Sequence, residues 1–135
     1  MTMREFVRRQ TGMLLRRLVS QGNRTAASVD ADAIHDLRVA IRRLSRCLRA
    51  FAQFYPGRSW KRIRRNLSEL MDLCAGVRDC DIAIALLGKA GVPAASPIVR
   101  QLDAQRQAAG EELQRALRRW KQQAFSRRWR ERLEL

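Results

Sequence analysis

Residues 34–51 read IHDLRVAIRRLSRCLRAF, and this stretch combines a helical period with an unusual charge pattern. Its apolar residues recur at steps of three and four, the period of an α-helix with one buried face. At about 100° per residue, five basic side chains fall within roughly an 80° sector that lies roughly 120° from the apolar face. We call these five the basic column, and Arg43 lies at its edge: His35, Arg38, Arg42, Arg46 and Arg49.

The charge pattern around this stretch is one-sided. No acidic residue occurs between Asp36 and Glu69, whereas ten lysines and arginines do, and they supply two-thirds of the net charge of +15. Like charges at i, i+4 destabilise a helix by a few tenths of a kcal/mol each. A bound anionic partner neutralises the column, and this explains why the sequence repeats like-charge pairs that destabilise the isolated helix. The next helix adds further candidates for the same surface: Lys61, Arg62 and Arg65.

Arginine dominates the basic residues, since 25 of the 28 are arginine. The planar guanidinium grips phosphate oxygens with two parallel hydrogen bonds, whereas lysine acts as a point charge. A genome rich in arginine codons accounts for part of this bias, but it does not account for the missing acids.

The composition indicates a soluble globular protein rather than a disordered one. With 135 residues, 46% of them hydrophobic, we expect one domain spanning residues 1–135. No apolar run reaches the length needed to span a membrane, and the N-terminus lacks a signal-peptide core. We therefore expect a cytoplasmic protein with no membrane association.

Helical periodicity recurs along the whole chain, and no stretch alternates as a strand does. The sequence predicts an all-α antiparallel bundle of about five to six helices. Gly22 and Asn23 are predicted to end the first helix, and Asp30 or Asp32 to cap the second. Gly76 is predicted to end the third helix as a left-handed cap. The remaining helices are expected after that glycine, after residue 96 and at the C-terminal end.

Catalytic and metal-binding signals are weak, so we expect a protein that is not an enzyme and needs no cofactor. His35 is the only histidine, which excludes a site built from several histidines of one chain. Cys47, Cys74 and Cys80 lack the close ligand spacing of structural zinc sites and are expected to be small buried thiols. No phosphate-binding glycine loop and no converging carboxylates are present.

The element VRDCDI, residues 77–82, allows two interpretations. One aspartate, Asp79 or Asp81, caps the start of a helix. The other either does the same or pairs with an arginine of the basic column and holds it in position.

Two stretches together resemble a known family. The segment IHDLRVAIRRLSRCLRAF, followed by LMDLCAGVRDCDIAIALL at residues 70–87, closely resembles the CHAD family, named for histidines in an α-helical domain. The family pattern runs His-x-x-Arg-Val-x-x-Arg-Arg-Leu, then Gly-x-x-Arg-Asp-x-Asp. The matching residues here are His35, Arg38, Val39, Arg42, Arg43, Leu44, Arg78, Asp79 and Asp81, and Gly76 stands one position closer to Arg78 than the glycine of the pattern does.

The resemblance implies binding of inorganic polyphosphate without catalysis, in some members with association to polyphosphate granules. Family members usually carry two tandem helical bundles with a basic cavity between them, whereas this chain has one bundle. We therefore expect a homodimer that encloses such a cavity.

The residues themselves agree with a polyphosphate ligand but leave two alternatives open. Polyphosphate is a flexible chain of closely spaced charges, and arginines one helical turn apart suit it. Binders of single-stranded nucleic acid interleave aromatic and basic residues, and the aromatic residues here fall within apolar faces instead. The alternatives are a helical protein that binds nucleic acid through the same basic faces, and an adaptor that docks on an acidic protein partner.

Overall fold

The computed structural model describes all 135 residues and contains five α-helices and no strand, which confirms the all-α prediction. A short 3₁₀ turn at Ala52–Phe54 joins the second helix to the third. The helices are α1 (Met3–Ala27), α2 (Ala31–Ala50), α3 (Ser59–Lys89), α4 (Pro97–Gln122) and α5 (Phe125–Leu133).

Helix α1 is longer than the sequence indicated, because it continues through Gly22 and Asn23 to Ala27. The prediction that these two residues end the helix is wrong. Thr25, on the next turn, is fully buried, and its hydroxyl donates to the carbonyl four residues earlier at 2.8 Å. A Cβ atom on Gly22 would lie 3.6 Å from the Leu117 side chain. Packing against α4 therefore holds α1 together where local propensity favours an end.

Helix α2 begins as the sequence indicates. The side chain of Asp30, one of the two predicted caps, accepts a hydrogen bond from the Ala33 amide at 2.8 Å. That hydrogen bond lowers the pKa of the Asp30 carboxyl from its ordinary value. Asp32 lies in the first turn, where a negative charge interacts favourably with the helix dipole and stabilises the helix. The apolar face of α2 is buried as predicted, through Ile34, Leu37, Ile41, Leu44 and Leu48.

The connection from α2 to α3 is anchored by one tyrosine. Tyr55 is buried, and its hydroxyl lies 2.7 Å from the Thr11 hydroxyl of α1. Burial raises the pKa of Tyr55 above its ordinary value. Gly57 then takes a φ of 57°, a left-handed conformation that favours glycine. The connection is therefore fixed both to α1 and by its own backbone geometry.

Helix α3 does not end at Gly76 but continues to Lys89. The predicted left-handed cap and the separate helix after it are both wrong. Gly76 lies beside α4, where a Cβ would be 3.8 Å from the Ala109 Cβ. The Arg106 guanidinium of α4 donates to the Asp81 carboxylate at 2.8 Å. Packing against α4 therefore stabilises α3 at Gly76, where local propensity alone favours the end of a helix.

Four helices form a ring in which α2 packs between α1 and α3, and α4 packs between α1 and α3 on the opposite side. Helix α5 contacts α1, α3 and α4, and its Phe125 and Trp129 rings pack on Trp120 with centroids 5.0–5.3 Å apart. A core of 21 buried residues draws on all five helices and on Tyr55. None of the helices is long and apolar enough to cross a membrane. The outer face of α2 is left uncovered by any other helix.

The end of α3 and the start of α4 extend beyond the rest of the bundle. Ala31, the first residue of α2, lies beside Ile82 and Ala85, so the chain after that point has no α2 to pack against. We call residues 79–112 the arm, and its two ends still contact the bundle: Asp81 borders the α2 groove, and Gly110 lies beside Val29. Within the arm only Val99 and Gly110 are buried. Ile82, Leu86 and Ile98 are its exposed large hydrophobic residues.

Candidate anion-binding surface

The basic column lies on the outer face of α2, and its cations have no partner within the protein. His35, Arg46 and Arg49 are exposed, and Arg38 and Arg42 are half-buried. The structure contains two ion pairs, Arg24–Asp36 and Arg106–Asp81, and neither involves the column. No column side chain takes part in any of the protein's side-chain hydrogen bonds, nor does any of the other predicted contributors: Arg43, Lys61, Arg62 and Arg65.

One groove lies between the first half of α2 and the second half of α3. His35 and Arg38 line it from α2, and Arg78 lines it from α3. Asp81 also lines this groove, but its carboxylate is engaged by Arg106. The prediction that one of the two aspartates of residues 77–82 pairs with a column arginine is therefore wrong. Three cationic or ionisable groups face this groove, and its one carboxylate is already neutralised.

Arg38 is the most enclosed member of the column. Its Nε atom is buried and has no hydrogen-bond partner. The side chain lies near Cys74 of α3, whose thiol pKa is raised to about 12 by burial, while the positive charge of Arg38 acts in the opposite direction. Cys47 and Cys74 are buried as predicted, and Cys80 is half-buried. Arg38 therefore presents an unsatisfied donor beside the groove between α2 and α3.

The basic residues near the start of α3 are divided between two sides of that helix. Arg64 faces α2, because its Nε donates to the Ser45 hydroxyl at 3.1 Å. At about 100° per residue, Lys61 lies about 60° and Arg65 about 100° from Arg64 around α3. Arg62 lies about 160° away, on the side turned from α2. Lys61 and Arg65 therefore extend the α2 surface, and the structure does not bring Arg62 to it.

A second groove lies on the other side of α2, against α1. Arg43 and Arg46 line it together with Arg17 of α1. The basic column is thus not one continuous stripe beside α3. Arg38 turns toward α3, whereas Arg46 turns toward α1. The candidate surface consequently wraps over α2 and has a groove on each side.

Three basic residues of this surface were not among the predicted contributors: Arg17, Arg64 and Arg78. Arg78 belongs to the Arg-Asp-x-Asp part of the second family pattern, so the sequence carried a signal for it. The position of Arg17 follows only from how α1 packs on α2, which no periodicity within one helix reveals.

Comparison with known proteins gives one result. Neither the curated proteins nor the solved structures contain a match to this chain. A family model, that of the CHAD domain, matches residues 10–135. This match includes all of α2 and the motif at residues 76–81, which carry the surface described above. The chain belongs to the CHAD domain family.

Proposed function

We propose that this CHAD domain is a non-enzymatic cytoplasmic protein that binds inorganic polyphosphate on the surface formed by α2 and its two flanking grooves. The observation that carries the proposal is the set of basic side chains on α2 that have no carboxylate partner within the protein. Unneutralised like charges on one helix destabilise it. A polyanion bound there removes that cost and gains charge-assisted hydrogen bonds.

The form of the surface favours polyphosphate over nucleic acid. Arginine forks spaced about one helical turn apart contact successive phosphates without reading any base. Phe54, which is close to α2, packs against the hydrophobic core, and Phe51 packs on the core while also lining the groove that holds Arg43 and Arg46. Trp60 has one cation near its ring, Lys61 at 5.6 Å, and also packs on the core. Apart from Phe51, the aromatic residues near α2 are therefore not interleaved with the column as the stacking platforms of single-stranded nucleic-acid binders are.

The proposal is binding without catalysis because the acids nearest the surface serve structural partners. Asp36 pairs with Arg24, and Asp81 pairs with Arg106. General acid–base catalysis needs a carboxylate or histidine positioned against the reacting group with a suitable partner. His35, the one histidine, has only Asp81 as an acidic neighbour in its groove, and that carboxylate is occupied.

A competition experiment with several polyanions tests this function. Long-chain polyphosphate should displace labelled RNA or DNA from the protein far more effectively, per charge, than the reverse. Its affinity should fall steeply with salt, by about a hundredfold between 50 and 200 mM if five contacts each contribute a slope of ~0.7 as in single-stranded nucleic acid. Equal displacement by all polyanions would favour the adaptor alternative, and stronger displacement by nucleic acid would favour that ligand instead.

We further propose that two copies associate through the arm. Five acids and three bases give the arm a net charge of −2, which leaves +17 on the rest of the chain. Two copies can therefore approach at the arm with far less repulsion than at any basic face. Leu86 is 61% exposed there, and Ile98 is 52% exposed. The charged residues of the arm are Asp79, Asp81, Asp103, Glu111 and Glu112 against Lys89, Arg100 and Arg106.

Substituting Leu86→Glu should convert the dimer to a monomer, because it places like charges opposite each other in an apolar contact. Light scattering at high protein concentration, with and without polyphosphate, measures the mass. The matched control is Met3→Glu, which alters a residue that is 53% exposed at the far end of α1. A wild-type protein that is monomeric under both conditions, or a Leu86→Glu variant that stays dimeric, would contradict the arm interface.

A further inference from the structure

Two arginines from different helices converge on one glycine, away from the surface described above. A Cβ atom on Gly12 of α1 would lie 3.7 Å from Nη1 of Arg16 and 3.8 Å from Nη1 of Arg130. Arg130 belongs to α5, at the other end of the sequence. These two distances place the two guanidinium nitrogens no more than 7.5 Å apart. The fold therefore brings two like charges together over a residue that has no side chain.

No carboxylate side chain neutralises this pair. Arg16, Arg130 and their neighbour Arg9 line one open groove between α1 and α5, and none of them is in an ion pair. We call these three residues the Gly12 cluster. The rest of the groove carries no acidic side chain: Met1, Phe6, Arg8, Gln10, Gly12, Met13 and Leu135. As on α2, like charges are held close with no acidic side chain between them.

We propose that the Gly12 cluster is a second anion site, which takes a phosphoryl group of the same polyphosphate chain that binds α2. The inference rests on the proposed function and extends it to a surface outside the predicted contributors. Charge-assisted N–H···O bonds are about 2.7–2.9 Å long. Two donors within 7.5 Å of each other can therefore each reach a different oxygen of one phosphoryl group. A tetrahedral phosphoryl group carries oxygens that point in several directions, so two guanidinium groups can bind it from different sides.

The grooves provide a path between the two sites. The Gly12 cluster groove shares Gln10 with the groove between α1 and α2. That groove holds Arg17, Arg43 and Arg46, so basic side chains follow one another from α2 across α1 to α5. A flexible polyanion bound on α2 can continue along this path without crossing an acidic side chain. The second site should therefore matter for long chains and not for short ones.

The test compares long-chain polyphosphate with inorganic triphosphate, using wild type and the double variant Arg16→Gln, Arg130→Gln. Affinity for the long chain should fall about tenfold or more, because two charge-assisted contacts are lost. Affinity for triphosphate should change less than about twofold, because so short a ligand occupies the α2 surface alone. The charge-keeping variant Arg16→Lys, Arg130→Lys should recover only part of the loss, since lysine lacks the planar fork.

A matched control distinguishes the loss of this site from a general loss of positive charge. The variant Arg118→Gln, Arg119→Gln removes the same two charges from exposed positions of α4, which contributes nothing to the groove. It should retain nearly wild-type affinity for both ligands. If the control and the Gly12 cluster variant lose the same affinity, or if triphosphate binding falls while long-chain binding does not, the second site is wrong and the proposed function stands. If the wild-type protein binds no polyphosphate, the second site and the proposed function are both wrong.

Discussion

A protein that carries Arg42→Glu and Arg46→Glu is expected to lose at least about a hundredfold in affinity for long-chain polyphosphate. Each substitution removes a charge-assisted contact worth about 1.5–3 kcal/mol and places a negative charge against the ligand. Two such losses exceed the 2.8 kcal/mol that corresponds to about a hundredfold. Arg46 borders the groove against α1, and Arg42 lies between Arg46 and the groove against α3. Changing both residues therefore interrupts the basic surface toward each of the two grooves. Binding measured by titration at fixed ionic strength gives the result.

The fold should survive this double change. Neither side chain makes an ion pair or hydrogen bond, and glutamate has nearly the helix propensity of arginine. The new glutamates also stand at i, i+3 or i, i+4 from Arg38 and Arg49, which replaces repulsion by attraction. The control Arg118→Glu, Arg119→Glu makes the same charge change on exposed positions of α4. If both variants bind alike, the effect comes from net charge and the α2 surface is not the site.

The second helix was predictable because one segment carries every signal that it needs. The steps of three and four among its apolar residues place Ile34, Leu37, Ile41 and Leu44 on the buried face. Asp30 supplies the cap just ahead of them. Where local chemistry and tertiary packing require the same structure, the sequence alone is sufficient. The outward position of the basic column follows from the same period, since a sector far from the apolar face has to face water.

Positions that depend on a neighbouring helix were not predictable in this way. Gly22 and Gly76 are stop signals by local propensity, which costs up to about 1 kcal/mol per glycine. In the structure α4 packs beside both glycines and outweighs that preference. Asp81 was assigned either a cap or a column partner, whereas its carboxylate pairs with Arg106, 25 residues later. The division of the column between two grooves likewise depends on where α1 and α3 lie.

Replacing Arg38 with methionine should make the protein more stable and the ligand weaker. In wild type the Nε atom of Arg38 is buried without a partner, and an unsatisfied buried donor costs about 1–3 kcal/mol. Methionine keeps most of the unbranched stem but removes the donor and the charge. The free energy of unfolding of Arg38→Met should therefore rise by about 1–3 kcal/mol, while polyphosphate affinity falls about tenfold with the loss of one charged contact. Urea unfolding and ligand titration measure the two quantities.

Arg49→Met is the matched control, because Arg49 is on the same helix and is exposed, and none of its atoms is buried without a partner. It should lower affinity by a similar factor, with a change in stability below about 0.5 kcal/mol. Polyphosphate at saturation should also stabilise wild type more than Arg38→Met, since only wild type gains an acceptor for the buried Nε. If Arg38→Met is instead less stable than wild type, Arg38 supports the packing of α2 on α3. The unsatisfied donor would then not be held open for the ligand, and the groove beside α3 would lose its strongest contact with a phosphate.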